Sequence, residues 1–490
     1  MIHNKKILAA LTALSASLLF SHATMAAVSA EQAAKLKSSL TPFGAERSGN
    51  ADGSIPEWTG GLTKADPAYK EGGKRSDPYA TDQPVMTITA QNMAQYADKL
   101  TAGTQAMLRK YPDTYKVVVY PTHRSAAAPQ SVYDATFANA TSGKLVDGPA
   151  GPMPQGAAGG IPFPIPENGA QAIWNHLLRW RGASWQANFT QYLTTADGKH
   201  VLTNDSRADL QMPWYLPGFS GDKGVYWSIR MINDGPPLRA GEAITGLENL
   251  NADNSAAWTY LPGQRRVRRL PNACCDTPTP ATAGVMSFDE LNVFNGRIDR
   301  FDWKLVGKKE MYIPYNSNRV FTASSPESLF DAHHMKSEAV RWELHRVWVV
   351  EATLKAGARH VMPKSTYYLD EDTWTAVLGD RYDARGQLAK VLWTSPVVLP
   401  DLPGTASLTT GFYDLLSGSW FVGDVFAGKN QQYRIVQPFK DSVFTADAMA
   451  GEAYRQQVSA KGGTGAFTYS VAPGALPKGM ILNISTGQLT

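Results

Sequence analysis

From about Trp185 onward, apolar residues recur at every second position instead of at the helical spacing of 3.6. This change of period constrains the chain more than any other feature. It predicts strands over 185–193, 200–210, 225–232, 258–270, 300–312, 344–354, 360–369, 373–382 and 388–393. Turn signals such as Ala196-Asp197-Gly198-Lys199 and Asp383-Ala384-Arg385-Gly386 separate several of them. Strands joined in sequence by short turns make a large antiparallel meander. In 346–354 both faces are largely apolar, which marks a central strand. A chain that is 43% hydrophobic can bury a large core, and 42 Gly, 31 Pro, 13 Trp and 20 Tyr suit a turn-rich β protein better than a helical bundle.

The first third reads differently. Ser29 is placed to cap a helix through Leu36, which Pro42 and Gly44 stop. Thr89 is placed to cap a second, with Met93, Tyr96, Ala97 and Leu100 at helical spacing, and 105–110 adds a turn or two. A short helix carries Ile173, Trp174, Leu177 and Leu178. Before it, Ile161-Pro162-Phe163-Pro164-Ile165-Pro166 excludes both helix and central strand, and predicts an extended segment on the surface or an edge. Ser325 is expected to cap a helix at 326–330 inserted between strands.

Residues 1–26 have the build of a secretory signal peptide: Lys5 and Lys6, an apolar run from Ile7 to Phe20, and a small-residue exit at Ala26. That run is shorter than the ~20 residues a bilayer span needs. No Cys follows it to accept a lipid, so the expectation is an exported, soluble, periplasmic protein. The two cysteines, Cys274 and Cys275, are adjacent and cannot build a disulfide framework; free thiols or a vicinal bond remain open. A formal net charge of +4 without a basic block excludes an ordinary nucleic-acid binder.

Few constellations suggest chemistry. Asn50-Ala51-Asp52-Gly53-Ser54-Ile55 imitates the middle of a calcium loop but has Ser48 and Thr59 where the end ligands belong, so a capped turn is expected. Gly218-Phe219-Ser220-Gly221 falls one residue short of a nucleophile elbow. His333, His334 and His345 lie near Asp331, Glu338 and Glu343 without any zinc spacing. No catalytic residue, metal or cofactor is therefore expected. In Arg265-Arg266-Val267-Arg268-Arg269, a strand places Arg266 and Arg268 on one face, where their forks suit a carboxylate or phosphate headgroup. Pairing with acids on neighbouring strands is the alternative. Trp185, Trp214, Tyr226, Trp227, Trp258 and Tyr260 are the aromatics proposed to line an apolar cavity beside them.

Four ordered motifs resemble the bacterial "domain of unknown function 1329" family: 50–61, opening Asn50-Ala51-Asp52-Gly53; Pro162-Phe163-Pro164-Ile165-Pro166 with Trp174-Asn175-His176; 260–269, from Tyr260-Leu261-Pro262-Gly263; and 343–352, from Glu343-Leu344-His345-Arg346. The resemblance covers about 45–454. It implies an exported protein similar in fold to the carriers that sort lipoproteins to the outer membrane, working beside exporters of the resistance-nodulation-division class and an outer-membrane protein. From about Ala453 the chain resembles part of an immunoglobulin-like repeat of bacterial surface proteins, with Leu476-Pro477-Lys478-Gly479 and Ser485-Thr486-Gly487. Three short strands are too few for a sandwich of about seven.

The expected organisation is a leader (1–26), a mainly β (α+β) domain (27–452) with a large curved antiparallel sheet like the half-barrel of lipoprotein carriers and covering helices, and the partial repeat (453–490). The expected function is a periplasmic carrier or accessory protein for a hydrophobic or amphiphilic molecule such as a lipid, and not an enzyme. A structural or adhesion protein of the cell surface is the alternative, with a hydrolase third.

Overall fold

The computed structural model describes residues 27–271, 273–429 and 433–450, with short pieces at 456–457, 468–470, 482–486 and 488–489. The expected leader, and most of the expected repeat, lie outside the described residues.

Strands dominate. In chain order they are β1 (Met86–Ile88), β2 (Val117–Val119), the hairpin β3 (Lys144–Gly148) and β4 (Gly151–Gln155), β5 (Ser184–Thr194), β6 (His200–Gln211), β7 (Val225–Gly235), β8 (Ala243–Asn249), β9 (Ala256–Leu261) and β10 (Arg266–Arg269). After them come β11 (Phe301–Pro314), β12 (Trp342–Leu354), β13 (Lys364–Asp370), β14 (Ala376–Tyr382), β15 (Leu388–Leu399), β16 (Gly404–Asp414), β17 (Trp420–Val425) and β18 (Tyr433–Ile435). The helices are α1 (Ala30–Ala34), α2 (Ala102–Lys110), α3 (Gln130–Ser142), α4 (Gly169–Leu177), α5 (Asn318–Thr322) and α6 (Ala446–Ala450).

Two meanders make one open sheet. β12 to β17 pair in chain order, β5 to β10 do the same, and β17 joins the two by pairing with β5. β11 flanks β12, and β2 meets β12 through the single parallel contact Trp342–Val119. β18 continues beside β5 beyond the end of β17. The expected large antiparallel sheet is thus present, and among the described residues its strand path has two ends and no barrel closure.

The period-2 pattern explains how the second meander is covered on both faces. Leu392, Phe412 and Phe421 lie in register across β15, β16 and β17 and enter one core. Their neighbours Val391, Trp393, Tyr413, Trp420 and Val422 enter a second core on the other face, with Met107 and Leu108 of α2. Gly411 permits this close stacking, because a Cβ there would lie 2.0 Å from the Phe421 carbonyl oxygen. Helix α4 is buried along its whole length, capped by Asn168, whose Oδ1 accepts from Gln171 N at 2.9 Å. Such a helix fills a core instead of bordering solvent.

Several expectations change. The predicted strand 258–270 is a hairpin: Pro262–Gln264 turns the chain, Arg265 takes φ 47°, and Arg266–Arg269 returns as an edge strand. Ile161 to Pro164 are buried, not spread on the surface. Asn175 replaces a strand neighbour there, accepting from Phe163 N at 2.9 Å and donating to Phe163 O at 2.7 Å. The helix expected after Thr89 is a 3-10 stretch, Met93–Lys99, and Pro326–Leu329 is a 3-10 turn to which Ser325 gives no side-chain cap. Helix α3 and strands β8, β16 and β17 had not been predicted. Asn50 and Asp52 form the expected capped turn, accepting from Ile55 N and Ser54 N at 2.9 Å each.

Candidate ligand cavity

Alternation along β5 sends Trp185, Ala187, Phe189 and Gln191 to one face. The register aligns Ala187 with Ala208 of β6, and Ala208 with Met231 of β7. On the other side of β5, β16 contributes Ala406, Leu408 and Thr410, and β17 contributes Phe421 and Gly423. Between these strands and a covering segment containing Ala281, Met286, Leu291 and Asn295 lies a cavity of about 100 Å³. A smaller space of about 40 Å³ continues from Trp227 and Ile229 toward Ile244, Gly246 and Ala257 of β8 and β9. The small side chains Ala187, Ala208, Ala281 and Ala406 leave this room where larger ones would fill it.

A short segment, not a helix of several turns, covers this cavity. It is two short 3-10 turns, Pro280–Thr282 and Phe288–Glu290, and its backbone takes positive φ at Ala283, Asn292 and Val293. Buried ion pairs hold it. Asp289 meets Arg381 at 2.8 Å and His360 at 2.9 Å, and Glu290 meets Lys390 at 2.9 Å. Burial opposes the Asp289 charge, yet Arg381 and His360 keep its carboxyl far below the usual range. His176 of α4 ties the same segment to the sheet: Nε2 donates to Phe294 O at 2.9 Å, while Nδ1 accepts from Ala376 N at 2.9 Å. Burial and the neighbouring Arg179 charge keep that imidazole neutral.

Polar atoms interrupt the apolar wall, and several have no partner. Arg181 Nε, Gln191 Oε1, Trp227 Nε1 and Ser407 Oγ are all enclosed and make no hydrogen bond. Asp424 sits on the β17 bulge at φ 55°, and burial pushes its carboxyl up to about 7. Such orphans are uncommon in native interiors, where buried polar groups are nearly always paired. Arg181 arrives through the turn after α4: Gly182 takes φ 95°, and Tyr433 Oη donates to the Arg181 carbonyl at 2.7 Å. The sequence carries a signal for it. From Asn168 to Ala196 there is no acidic residue, yet Arg179 and Arg181 stand there amid apolar neighbours.

Of the residues proposed from sequence, Trp185 and Trp227 line the cavity. Tyr226 packs its ring edge against Trp174 at 5.8 Å, and Trp214 is fully buried with Nε1 donating to Gly160 O at 2.8 Å. Trp258 and Tyr260 face the opposite side of the sheet, against Ile232, Ala243 and Met449 of α6. Arg266 and Arg268 are exposed on edge strand β10 and are not brought to the cavity. The turn at Pro262–Gln264 is the reason, and charge on an edge strand discourages pairing with another chain. Cys274 and Cys275 are free thiols.

The densest His/acid group does a different job. Arg124 donates to Asp372 through Nε (2.9 Å) and Nη2 (2.6 Å), and also to the carbonyls of Glu46 (2.7 Å) and Arg47 (3.0 Å). Arg346 donates to Ser48 O at 3.1 Å. Glu343 meets Arg341 at 2.6 Å and His345 at 3.0 Å. His345, Asp370 and Asp372 place candidate ligand atoms within 4.8 Å of one another. Both Asp372 oxygens already receive Arg124, so the group works as a clamp between the 46–58 loop and strands β12 and β13. His333 stacks on Tyr111, and His334 joins Met335 O and Thr114 Oγ1.

An open, mainly antiparallel sheet thus bounds an apolar cavity with buried polar atoms in its wall. Residues 87–450 match the family described as a protein of unknown function, DUF1329, and the chain belongs to that family. It is 43% identical over 437 residues to the uncharacterized protein PA3922 of Pseudomonas aeruginosa, which spans 88% of this chain and 95% of that protein. Among solved structures, a DUF1329 family protein from Desulfovibrio piger aligns at 16% identity and TM-score 0.38, over 55% of this chain and 92% of that one. The LolA superfamily protein NE2245 from Nitrosomonas europaea aligns at 14% identity and TM-score 0.35, over 58% of this chain and 100% of that one. No helix among the described residues is long and apolar enough to cross a membrane.

Proposed function

We propose that the protein is a periplasmic carrier or accessory factor that binds a hydrophobic or amphiphilic molecule between strands β5–β7, β16 and β17 and the 279–295 cover. The enclosed, mainly apolar cavity with unpartnered polar atoms carries this reading. Burial of an apolar body supplies affinity at ~25 cal/mol per Å² removed from water, and the polar atoms orient the ligand. The signal-peptide build of 1–26 supports export, and the family resemblance supports work beside an exporter of the resistance-nodulation-division class and an outer-membrane protein.

Native mass spectrometry of protein purified from the periplasm, followed by solvent extraction, tests the reading. The expected result is a bound apolar molecule that exchanges with an uncharged fluorescent naphthylamine. Protein that carries nothing and leaves the dye unquenched and unshifted would sink it. Crosslinking in intact cells then tests the exporter and outer-membrane partners.

A further inference from the structure

Seven arginines are buried among the described residues: Arg75, Arg124, Arg179, Arg181, Arg341, Arg346 and Arg381. Five meet a carboxylate: Arg75 with Asp401 at 2.7 Å, Arg124 with Asp372 at 2.6 Å, Arg341 with Glu343 at 2.6 Å, Arg346 with Glu371 at 3.4 Å and Arg381 with Asp289 at 2.8 Å. Arg179 and Arg181 form no ion pair with any described residue. Arg179 Nη1 donates to the His176 carbonyl at 2.6 Å, and its Nη2 has no partner. Arg181 Nη2 reaches only the Met212 sulfur at 3.6 Å, its guanidinium lies 5.6 Å from the Trp185 ring centroid, and its Nε has no partner.

An interior guanidinium without a counter-charge is costly, and an anion arriving from outside would offset that cost. Of the two, Arg181 is part of the cavity wall, and Arg179 does not line the cavity but lies near enough for the Arg181 charge to act on it. Neutral His176, beside them, supplies no negative charge. Burial lowers both arginines from their usual range, and for Arg179 the Arg181 charge adds to the effect; an anion would relieve both. From Trp185 the wall runs through Ala187 and Phe189 to Gln191, about 20 Å along β5 at ~3.3 Å per residue. The Gln191–Asp424 polar pair is therefore the far end, separated from the arginines by an apolar stretch.

We infer that the ligand is an anionic amphiphile whose carboxylate or phosphate head seats on Arg181, with Arg179 behind it, and whose apolar body lies along Trp185, Phe189, Leu408 and Phe421. A guanidinium fork in the cavity wall, with a second positive charge close by, fits an oxyanion better than a hydroxyl or an amide. This inference rests on the cavity being the carrier site.

The test is calorimetric titration of the full exported chain at pH 8 with three probes of equal chain length: decanoate, decyl phosphate and decanol. The expected result is that at least one anion binds about tenfold or more tightly than decanol, as a charge-assisted contact of this kind provides. Whichever anion binds tighter identifies the headgroup as carboxylate or phosphate. Arg181→Met should abolish that preference, measured as the ratio of anion to decanol affinity, and Arg181→Lys should restore part of it. Equal binding of all three probes, or a preference that survives Arg181→Met, would overturn the inference while leaving the carrier reading in place. Binding of none would remove both. The wild-type comparison decides the matter even where Arg181→Met does not fold.

Discussion

Filling the cavity from Ala187 should stabilise the ligand-free protein and exclude the ligand. Ala187 is buried at mid-strand on β5, flanked by Trp185 and Phe189 and opposite Ala208, and its side chain faces the space of about 100 Å³. Ala187→Leu adds three carbons. If they enter that space without displacing neighbours, transfer contributes about 0.8 kcal/mol each, or roughly 2 kcal/mol of added stability. If native side chains already fill the space, the same change overpacks the core and costs about 1–3 kcal/mol. The two cases differ in sign, so the outcome is decisive. Urea unfolding followed by tryptophan fluorescence gives the stability change, and titration with the uncharged naphthylamine gives the binding change. The expected pair is a higher midpoint with weakened dye binding. A lower midpoint, or unaltered dye affinity, would refute the assignment of this space as a ligand cavity.

Three further outcomes follow from the same structure. Arg124→Met should cost about 3–5 kcal/mol, because it leaves the buried Asp372 carboxylate without its fork; adding Asp372→Asn should recover part of this, and a single-variant loss below about 1 kcal/mol in urea unfolding would contradict the clamp. Asp424 has its carboxyl raised by burial from 3.8 to about 7, so its contribution to folding is complete below about pH 4 and is lost as pH rises through 7. Asp424→Asn should therefore gain stability relative to wild type between those limits and hold a constant difference above them; a difference independent of pH would show that Asp424 is not desolvated. Deleting 453–490, which lies beyond the family match at 87–450, should leave the melting temperature of the remainder unchanged in calorimetry; a large drop would move the domain boundary.

The sheet was readable because alternation is local. Where apolar residues come at every second position, as at Trp185, Ala187 and Phe189 of β5, Trp227, Ile229 and Met231 of β7 and Phe301, Trp303 and Leu305 of β11, a strand forms within a few residues of the expected limits. β16 was missed for the opposite reason. Gly404-Thr405-Ala406-Ser407-Leu408-Thr409-Thr410-Gly411 is covered on both faces, so small and polar residues stand where a half-exposed strand would alternate. The hairpin β9–β10 differs from the single expected strand although Pro262-Gly263 is a turn signal; what the side chain does not announce is Arg265 entering the left-handed region to complete the turn. The family motifs were visible as sequence, but their work is structural. Asn175 holds the proline-rich segment, and Arg346 holds the 46–58 loop.

The cavity itself is only half readable in the sequence, and the placement of the arginines shows why. Arg266 and Arg268 drew notice because five neighbouring positions carry four arginines, yet dense charge is what an exposed edge strand tolerates. Arg179 and Arg181 are fewer and stand in an apolar stretch, so composition alone makes them inconspicuous. Their meaning depends on what surrounds them in three dimensions, since among the described residues the other buried arginines meet a carboxylate and these two do not. A cluster of like charge argues for solvent, whereas an isolated charge in an acid-free, apolar context argues for burial and hence for a partner supplied from elsewhere. The second pattern spans Asn168 to Ala196, and strand alternation from Trp185 onward then sets the chain beyond it along an apolar wall. Charge context and periodicity together mark the site that neither marks alone.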